Sequence, residues 1–283
     1  MRSVNRKIQI LHGATIDFKM GGKVLSTTSK ERAMNQTNPQ EKKVALVTGG
    51  ARRIGAAVVK KLHEAGYKVV IHCRHSLDDA HALAVALNHQ RMGSSLVLQR
   101  DLTEVGAAQE ITQSILNWAG RLDLLVNNAS IFTRTDCNAL KLTDWDTLFD
   151  TNVKVPFLLS LASRPVLAEH SGAIINVTDV HAQMPLRGYA VYCQSKAALE
   201  MQTKALAREF SPEVRVNAVA PGAIEWPEDT NSLSQEEQQN IMDKTPLKCH
   251  GSPEYIAHAV LALVENPFIT GQILRVDGGR GAG

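Results

Sequence analysis

No stretch of the 283 residues holds the roughly 18 consecutive apolar residues that a membrane-spanning helix needs, so a helical membrane protein is not expected. Cysteine is scarce: Cys73, Cys137, Cys193 and Cys249 stand far apart, without the paired spacing of a zinc site or a disulfide framework. That pattern suits reduced thiols in a cytoplasmic enzyme. Nor does charge of one sign dominate. The chain carries a net +3, and residues 1–40 hold seven Lys/Arg against two Asp/Glu, which is +5 and leaves −2 for the remainder. This is no electrostatic footprint for nucleic acid. His72 and His75 lie close together, but no clustered carboxylate or thiol completes a metal site, so no metal is expected. An apolar segment followed by a small-residue cleavage site is also missing near Met1, which argues against secretion. What is present is ordinary for a globular protein with a substantial core: 44% hydrophobic and 21% charged residues.

Residues 1–41 show no sustained periodicity and are polar from Ser26 onward. They are expected to be a disordered extension, or the product of an upstream start with translation beginning at Met34; their basic, acid-poor character also leaves a transit peptide open. From Lys43 the chain alternates short apolar runs with amphipathic stretches. Strands are predicted at 44–47, 69–71, 96–98, 122–126, 173–177, 214–219 and 272–276. Helices are predicted at 54–65, 77–90, 109–118 and 192–210, with one bent helix or a helix pair over 144–168 near Pro156. Near-continuously apolar strands separated by helices imply a parallel sheet covered on both faces. The expected fold is α/β: a single doubly wound Rossmann domain over 42–283, with a sheet of about seven strands and ligands outside the strands' carboxyl ends. The polar, helix-prone segment inside 223–250 is expected to act as a substrate loop or lid.

Three features sit at those carboxyl ends. Thr48-Gly49-Gly50-Ala51-Arg52-Arg53-Ile54-Gly55 joins the first strand to the first helix, where glycines allow close backbone approach and a helix N-terminus attracts a pyrophosphate. The second strand ends in Cys73-Arg74-His75-Ser76 with no carboxylate to grip a ribose 2′-hydroxyl; Arg74, His75 and Ser76 can instead donate to a 2′-phosphate, which selects NADPH. Finally, Tyr192 and Lys196 are four apart on one helix and share a face, while Asp179 follows the fifth strand. A neighbouring ammonium is expected to lower the phenol's pKa by roughly one to three units and make it a usable acid.

The Tyr192/Lys196 pair resembles the Tyr-x-x-x-Lys of short-chain dehydrogenase/reductases. The glycine turn resembles that family's Thr-Gly-x-x-x-Gly-x-Gly, with Arg53 in place of the middle glycine. Asn127-Asn128-Ala129-Ser130 resembles its Asn-Asn-Ala-Gly. Arg53, the final Ser130 and Asp179, where most members carry Ser, resemble the pteridine reductase branch. The resemblance covers residues 43 to 279. It implies cofactor contacts from Gly49, Arg52, Arg53, Ile54, Gly55, Arg74, His75, Ser76, Asp101, Leu102, Asn128, Ala129, Ser130, Lys196, Pro221 and Gly222. Asn152 would hold a proton-relay water beside Lys196. Asp179 and Tyr192 would pass a proton to the ring nitrogen of a dihydropterin. Substrate contacts would come from Arg53, Ser130, Phe132, Asp179, Tyr192, Trp226 and Arg280. Phe132 would stack on the pterin or serve as a core aromatic, and Trp226 would wall the pocket or simply pack. Arg280 would reach a neighbouring subunit's pocket in a homotetramer or end a frayed tail. A partly buried carboxyl at Asp179 is expected to hold its proton to higher pH. The competing readings are a 3-oxoacyl thioester reductase and a non-catalytic NADP-binding regulator.

Overall fold

The computed structural model describes residues 42–226 and 232–282, so the predicted N-terminal extension lies outside the described residues. Strand β1 (Val44–Val47) is fully buried and starts a seven-stranded, all-parallel sheet. It is joined by β2 (Lys68–Cys73), β3 (Ser95–Gln99), β4 (Leu124–Asn127), β5 (Ala173–Val177), β6 (Arg215–Pro221) and β7 (Ile273–Val276). The spatial order is β3-β2-β1-β4-β5-β6-β7, the doubly wound arrangement predicted. Because β1 pairs with both β2 and β4, the winding reverses between β1 and β4, and a crevice opens above their carboxyl ends.

Alternation along each strand distributes the core. Ala45, Val47, Val69 and Ile71 pack on one face with α1 (Arg53–Glu64), α2 (Leu77–Gln90) and α8 (Pro253–Glu265). Val44, Leu46 and Val70 pack on the other with α3 (Ala107–Ala119), α5 (Val155–Glu169) and α6 (Ala190–Glu209). Helix α2 and strand β5 match their predicted limits. Strand β4 begins at Leu124, not Leu122, and Asp123 just before it anchors the strand's start with its side chain. Its carboxylate accepts the Val44 amide at 2.8 Å and pairs with Arg121 at 2.6 Å in a buried ion pair. The bend predicted near Pro156 is a helix pair: α4 (Leu142–Phe149) meets α5 through a π-helical turn, Asp150–Lys154, which buries Asn152. Such wide turns recur at functional sites. Helix α7 (Gln235–Lys244) falls in the predicted lid, held by a Ser234–Glu237 capping box. Helix α8 was not expected. Its signals were Ser252 capping Glu254, Pro253 in the first turn, and Ile256, Ala257, Val260 and Leu263 at helical spacing.

Candidate active site

The glycine turn is tight enough to dictate its sequence. Gly49 has φ +59°, and a Cβ on Gly55 would stand 2.0 Å from the Gly49 carbonyl oxygen. We expect Gly55→Ala to weaken dinucleotide binding at least about tenfold, measured by fluorescence titration; unchanged binding would mean the turn has room the geometry denies it. The turn is tied across the switch point. Thr48 Oγ1 accepts the Asn128 and Ala129 amides at 2.9 and 3.0 Å, while the Asn128 side chain donates to the Thr48 and Gly49 carbonyls at 2.9 and 3.0 Å. His72 also holds the turn: it accepts the Gly49 amide at 3.4 Å through Nδ1, with Nε2 2.9 Å from the Arg100 carbonyl. Burial lowers its pKa, which keeps the ring neutral and able to accept. Sequence reasoning missed this role, whose only cue was a polar residue inside a buried strand.

One cleft of about 910 Å³ runs over the carboxyl ends of the sheet, and every residue predicted for the site lines it except Asn152. At one end Arg74 stands 3.7 Å from Asp101. The Asp101 carboxyl is held below the usual range, first by hydrogen bonds from Thr103 and then by Arg74. Arg74 is thus positioned by a carboxylate from β3's end while remaining half-exposed, a cation with room for a phosphate. Arg52 reaches Asp79 at 3.8 Å.

At the other end, Asp179 follows β5 in extended conformation and uses both oxygens. Oδ1 accepts the His181 amide at 2.8 Å, and Oδ2 accepts the Tyr192 hydroxyl at 2.6 Å. The expected effect of Lys196 on Tyr192 is reversed. Burial, then the charge and hydrogen bond of Asp179, push the phenol's pKa well above its ordinary value, because the carboxylate is in direct contact. The ammonium, by contrast, stands 5.8 Å from the ring centre. Tyr192 is therefore a proton-holding donor and not a phenolate. Lys196 donates to the Val177 carbonyl at 3.0 Å, and burial lowers its pKa to about 8.

Asn152, expected to hold a relay water beside Lys196, is buried in the π-helical turn with its side chain bonded within the protein. Its amide nitrogen donates to Ile131 O and Ser195 Oγ, and its oxygen accepts Ser130 Oγ and the Ile131 amide, all within 2.9–3.0 Å. Two donors and two acceptors fill the side chain's capacity, so a relay water here would have to bond the Asn152 main-chain carbonyl. What it does is clamp Ser130-Ile131 against α6.

Phe132 belongs to an aromatic group. It stacks on Tyr189 with ring centres 4.4 Å apart and meets Tyr192 edge-on at 4.8 Å. Trp226 packs against His250 at 5.6 Å. Arg53 adopts φ +52° and reaches the loop after β6, donating to Glu225 at 2.9 Å and to the Trp226 carbonyl at 3.2 Å. This pair was invisible in sequence, its members lying 172 residues apart. Exposed pairs of this kind contribute about 0.2–1 kcal/mol, so Glu225→Gln, which removes the charge but leaves the main-chain carbonyls of Glu225 and Trp226, should tighten NADPH binding by no more than about fivefold; weaker binding in that variant would sink the idea. Gly222 lets the chain pass Asp277 closely, since a Cβ there would lie 2.7 Å from the Asp277 Cα. Arg280 lines its own chain's cleft.

The family model described as enoyl-(acyl carrier protein) reductase matches residues 49–280. The chain belongs to the short-chain dehydrogenase/reductase family. It is an oxidoreductase of that family. Its relatives include the 3-oxoacyl-[acyl-carrier-protein] reductase of Synechocystis sp., 37% identical, covering 83% of this chain and 96% of the relative. They also include the enzyme FabG of the same name from Staphylococcus epidermidis, 34% identical over 84% of this chain and 98% of the relative. Among solved structures, FolM alternative dihydrofolate reductase 1 from Brucella suis in complex with NADP superposes with a TM-score of 0.79. It is 34% identical, covering 85% of this chain and 96% of that one. Identity does not separate these two activities, so the reductase's substrate must be argued from its site. Among the described residues no helix is long and apolar enough to cross a membrane.

Proposed function

We propose that this NADPH-dependent reductase converts a dihydropterin to its tetrahydro form. Dihydrobiopterin or dihydromonapterin are the leading substrates and dihydrofolate a further one. The observation that carries the reading is the 2.6 Å hydrogen bond from Tyr192 to Asp179, a carboxyl group where carbonyl reductases of the family carry Ser. Either reduction consumes one proton with the hydride; a carbonyl oxygen can take it from the Tyr192 hydroxyl alone beside a polarising Ser, whereas Asp179 adds a second proton-carrying group that suits a ring nitrogen. The neighbouring Thr178 does not supply the missing hydroxyl: it is buried and donates to the Val219 carbonyl at 3.2 Å.

The residues present fit the dinucleotide. The glycine turn has no space for a side chain at Gly55, it opens the N-terminus of α1, and Arg74 with no carboxylate at the end of β2 suits a 2′-phosphate. NADPH, when bound, supplies the hydride. Phe132 offers a flat wall for the heterocycle, and offset stacking adds about 0.5–1.5 kcal/mol beyond area burial. The Tyr192 hydroxyl proton passes to the Asp179 carboxylate it is hydrogen-bonded to, and from Asp179 to the ring nitrogen, which leaves the phenol negatively charged. The buried ammonium of Lys196 offsets the negative charge left on the phenol. We infer further that the reductase is a homotetramer, as the family resemblance implies; the exposed apolar stripe Phe157, Leu158 and Leu161 on α5 supports one of the interfaces such an assembly needs.

The test is NADPH oxidation by the purified protein with dihydrobiopterin, dihydromonapterin, dihydrofolate and acetoacetyl thioester. Turnover of a dihydropterin is expected. Turnover of the thioester alone would make this a carbonyl reductase with an unusual aspartate.

A further inference from the structure

Cations line the whole cleft, but they are not equally matched. Arg52 has Asp79, Arg53 has Glu225, Arg74 has Asp101, and Arg100 has Glu104 and Glu110, each within 4.0 Å. Lys196 is spent on the Val177 carbonyl. Arg134, Arg187, Lys244 and Arg280 also line the cleft, and among the described residues none of them has a carboxylate within ion-pair distance.

Among the described residues, the acids that line the cleft are already engaged, Glu237 also lying within the field of Arg134. Asp179 accepts from Tyr192 and His181, and Glu225 accepts from Arg53. Glu237 accepts the Ser234 amide at 2.8 Å and hydroxyl at 3.0 Å, closing the α7 capping box. Arg134 is also fixed in place, its guanidinium 5.2 Å above the Tyr189 ring that stacks on Phe132. A cation held on an aromatic wall loses less conformational freedom when it binds an anion. Lys244 lines the cleft from the last turn of α7.

Resting on the dihydropterin reading, we propose that the outer end of the cleft is an anion subsite, and that the preferred substrate carries a negatively charged tail on its pterin ring. The cations are Arg134, Arg187, Lys244 and Arg280. Carboxylate and phosphate tails share this chemistry, since guanidinium groups bind either in bidentate fashion. Hydride chemistry at the ring is unaltered; the subsite selects the tail.

The experiment compares kcat/KM for dihydrobiopterin, whose tail is neutral, with dihydrofolate, which ends in carboxylates, and with a dihydropterin bearing a phosphate ester. The wild type should favour an anionic tail by about tenfold over the neutral one. That ratio should fall towards one in 0.5–1 M salt (roughly a 3–4 Å screening length) and in Arg134→Gln/Lys244→Gln, and should return when Arg134→Lys/Lys244→Arg restores the charge. The better of the two anionic substrates identifies carboxylate or phosphate. Equal kcat/KM for neutral and anionic tails, or a ratio untouched by the charge-neutral variant, overturns the subsite while leaving the pterin reading intact. Turnover of no dihydropterin overturns both.

Discussion

Asp179→Asn should lower kcat for dihydropterin reduction by about 10²–10⁴-fold, the range that general acid catalysis supplies. Asparagine preserves the side chain's shape and can still accept the His181 amide that starts the 3-10 turn Val180–Ala182, so the backbone is not disturbed. What it removes is an ionisable oxygen against the Tyr192 hydroxyl. Dinucleotide affinity should change little, because the glycine turn and Arg74 lie at the other end of the cleft. KM for the pterin should move less than kcat, since the missing proton matters most in the transition state. A residual rate within about fivefold of wild type would remove Asp179 from proton transfer and leave Tyr192 to act alone. Asp179→Ser sharpens the test by restoring the hydroxyl that carbonyl reductases of the family use. Gain of acetoacetyl thioester reduction in that variant, with loss of pterin reduction, would assign the choice of substrate to this one position.

Much of this site was readable because its signals are local. The glycine turn, Tyr192 with Lys196, and the carboxylate-free end of β2 each lie within a few residues, and backbone periodicity places the first and last at strand ends and the pair on one face of a helix. The fold followed for the same reason: seven apolar runs separated by helical stretches admit few parallel arrangements. What escaped was set by distances between remote residues. The sign of the Tyr192 shift depends on which charge is nearer, and helix spacing shows only that Lys196 is on the same face. Asn152 could be located, but not the four partners that saturate its amide. Arg53 looked like a ligand contact, and its bond to Glu225 needs the three-dimensional approach of β6's exit to the glycine turn. Helix α8 was legible and overlooked: Ser252-Pro253 and its buried apolar positions are an ordinary start and face.

Lys196→Met should abolish most activity, with a loss of about 10²–10⁴-fold, and also make the free protein more stable at neutral pH. Burial holds the ammonium's pKa at about 8, against an ordinary 10.5. Between those values the unfolded chain binds more protons than the folded one, so this group's destabilising effect is full below pH 8 and is relieved as pH rises towards 10.5. Tyr192 acts oppositely: its raised pKa makes the folded state hold a proton that the unfolded chain releases above pH 10. The net window is therefore about pH 8 to 10. Denaturant melts should show wild type gaining about 2–3 kcal/mol relative to Lys196→Met across it, an order-of-magnitude figure from 1.36 kcal/mol per pKa unit. Activity should run the other way. The charged ammonium is needed to offset the phenol's developing charge, so kcat/KM for NADPH, which reports free-enzyme ionisations, should fall above about pH 8. Stability that rises while the rate falls, through one window and from one side chain, is a signature that a purely structural lysine would not give. A kcat/KM flat to pH 9.5 would show instead that Lys196 acts without its charge, as a hydrogen-bond donor to the Val177 carbonyl and a spacer beneath Tyr192.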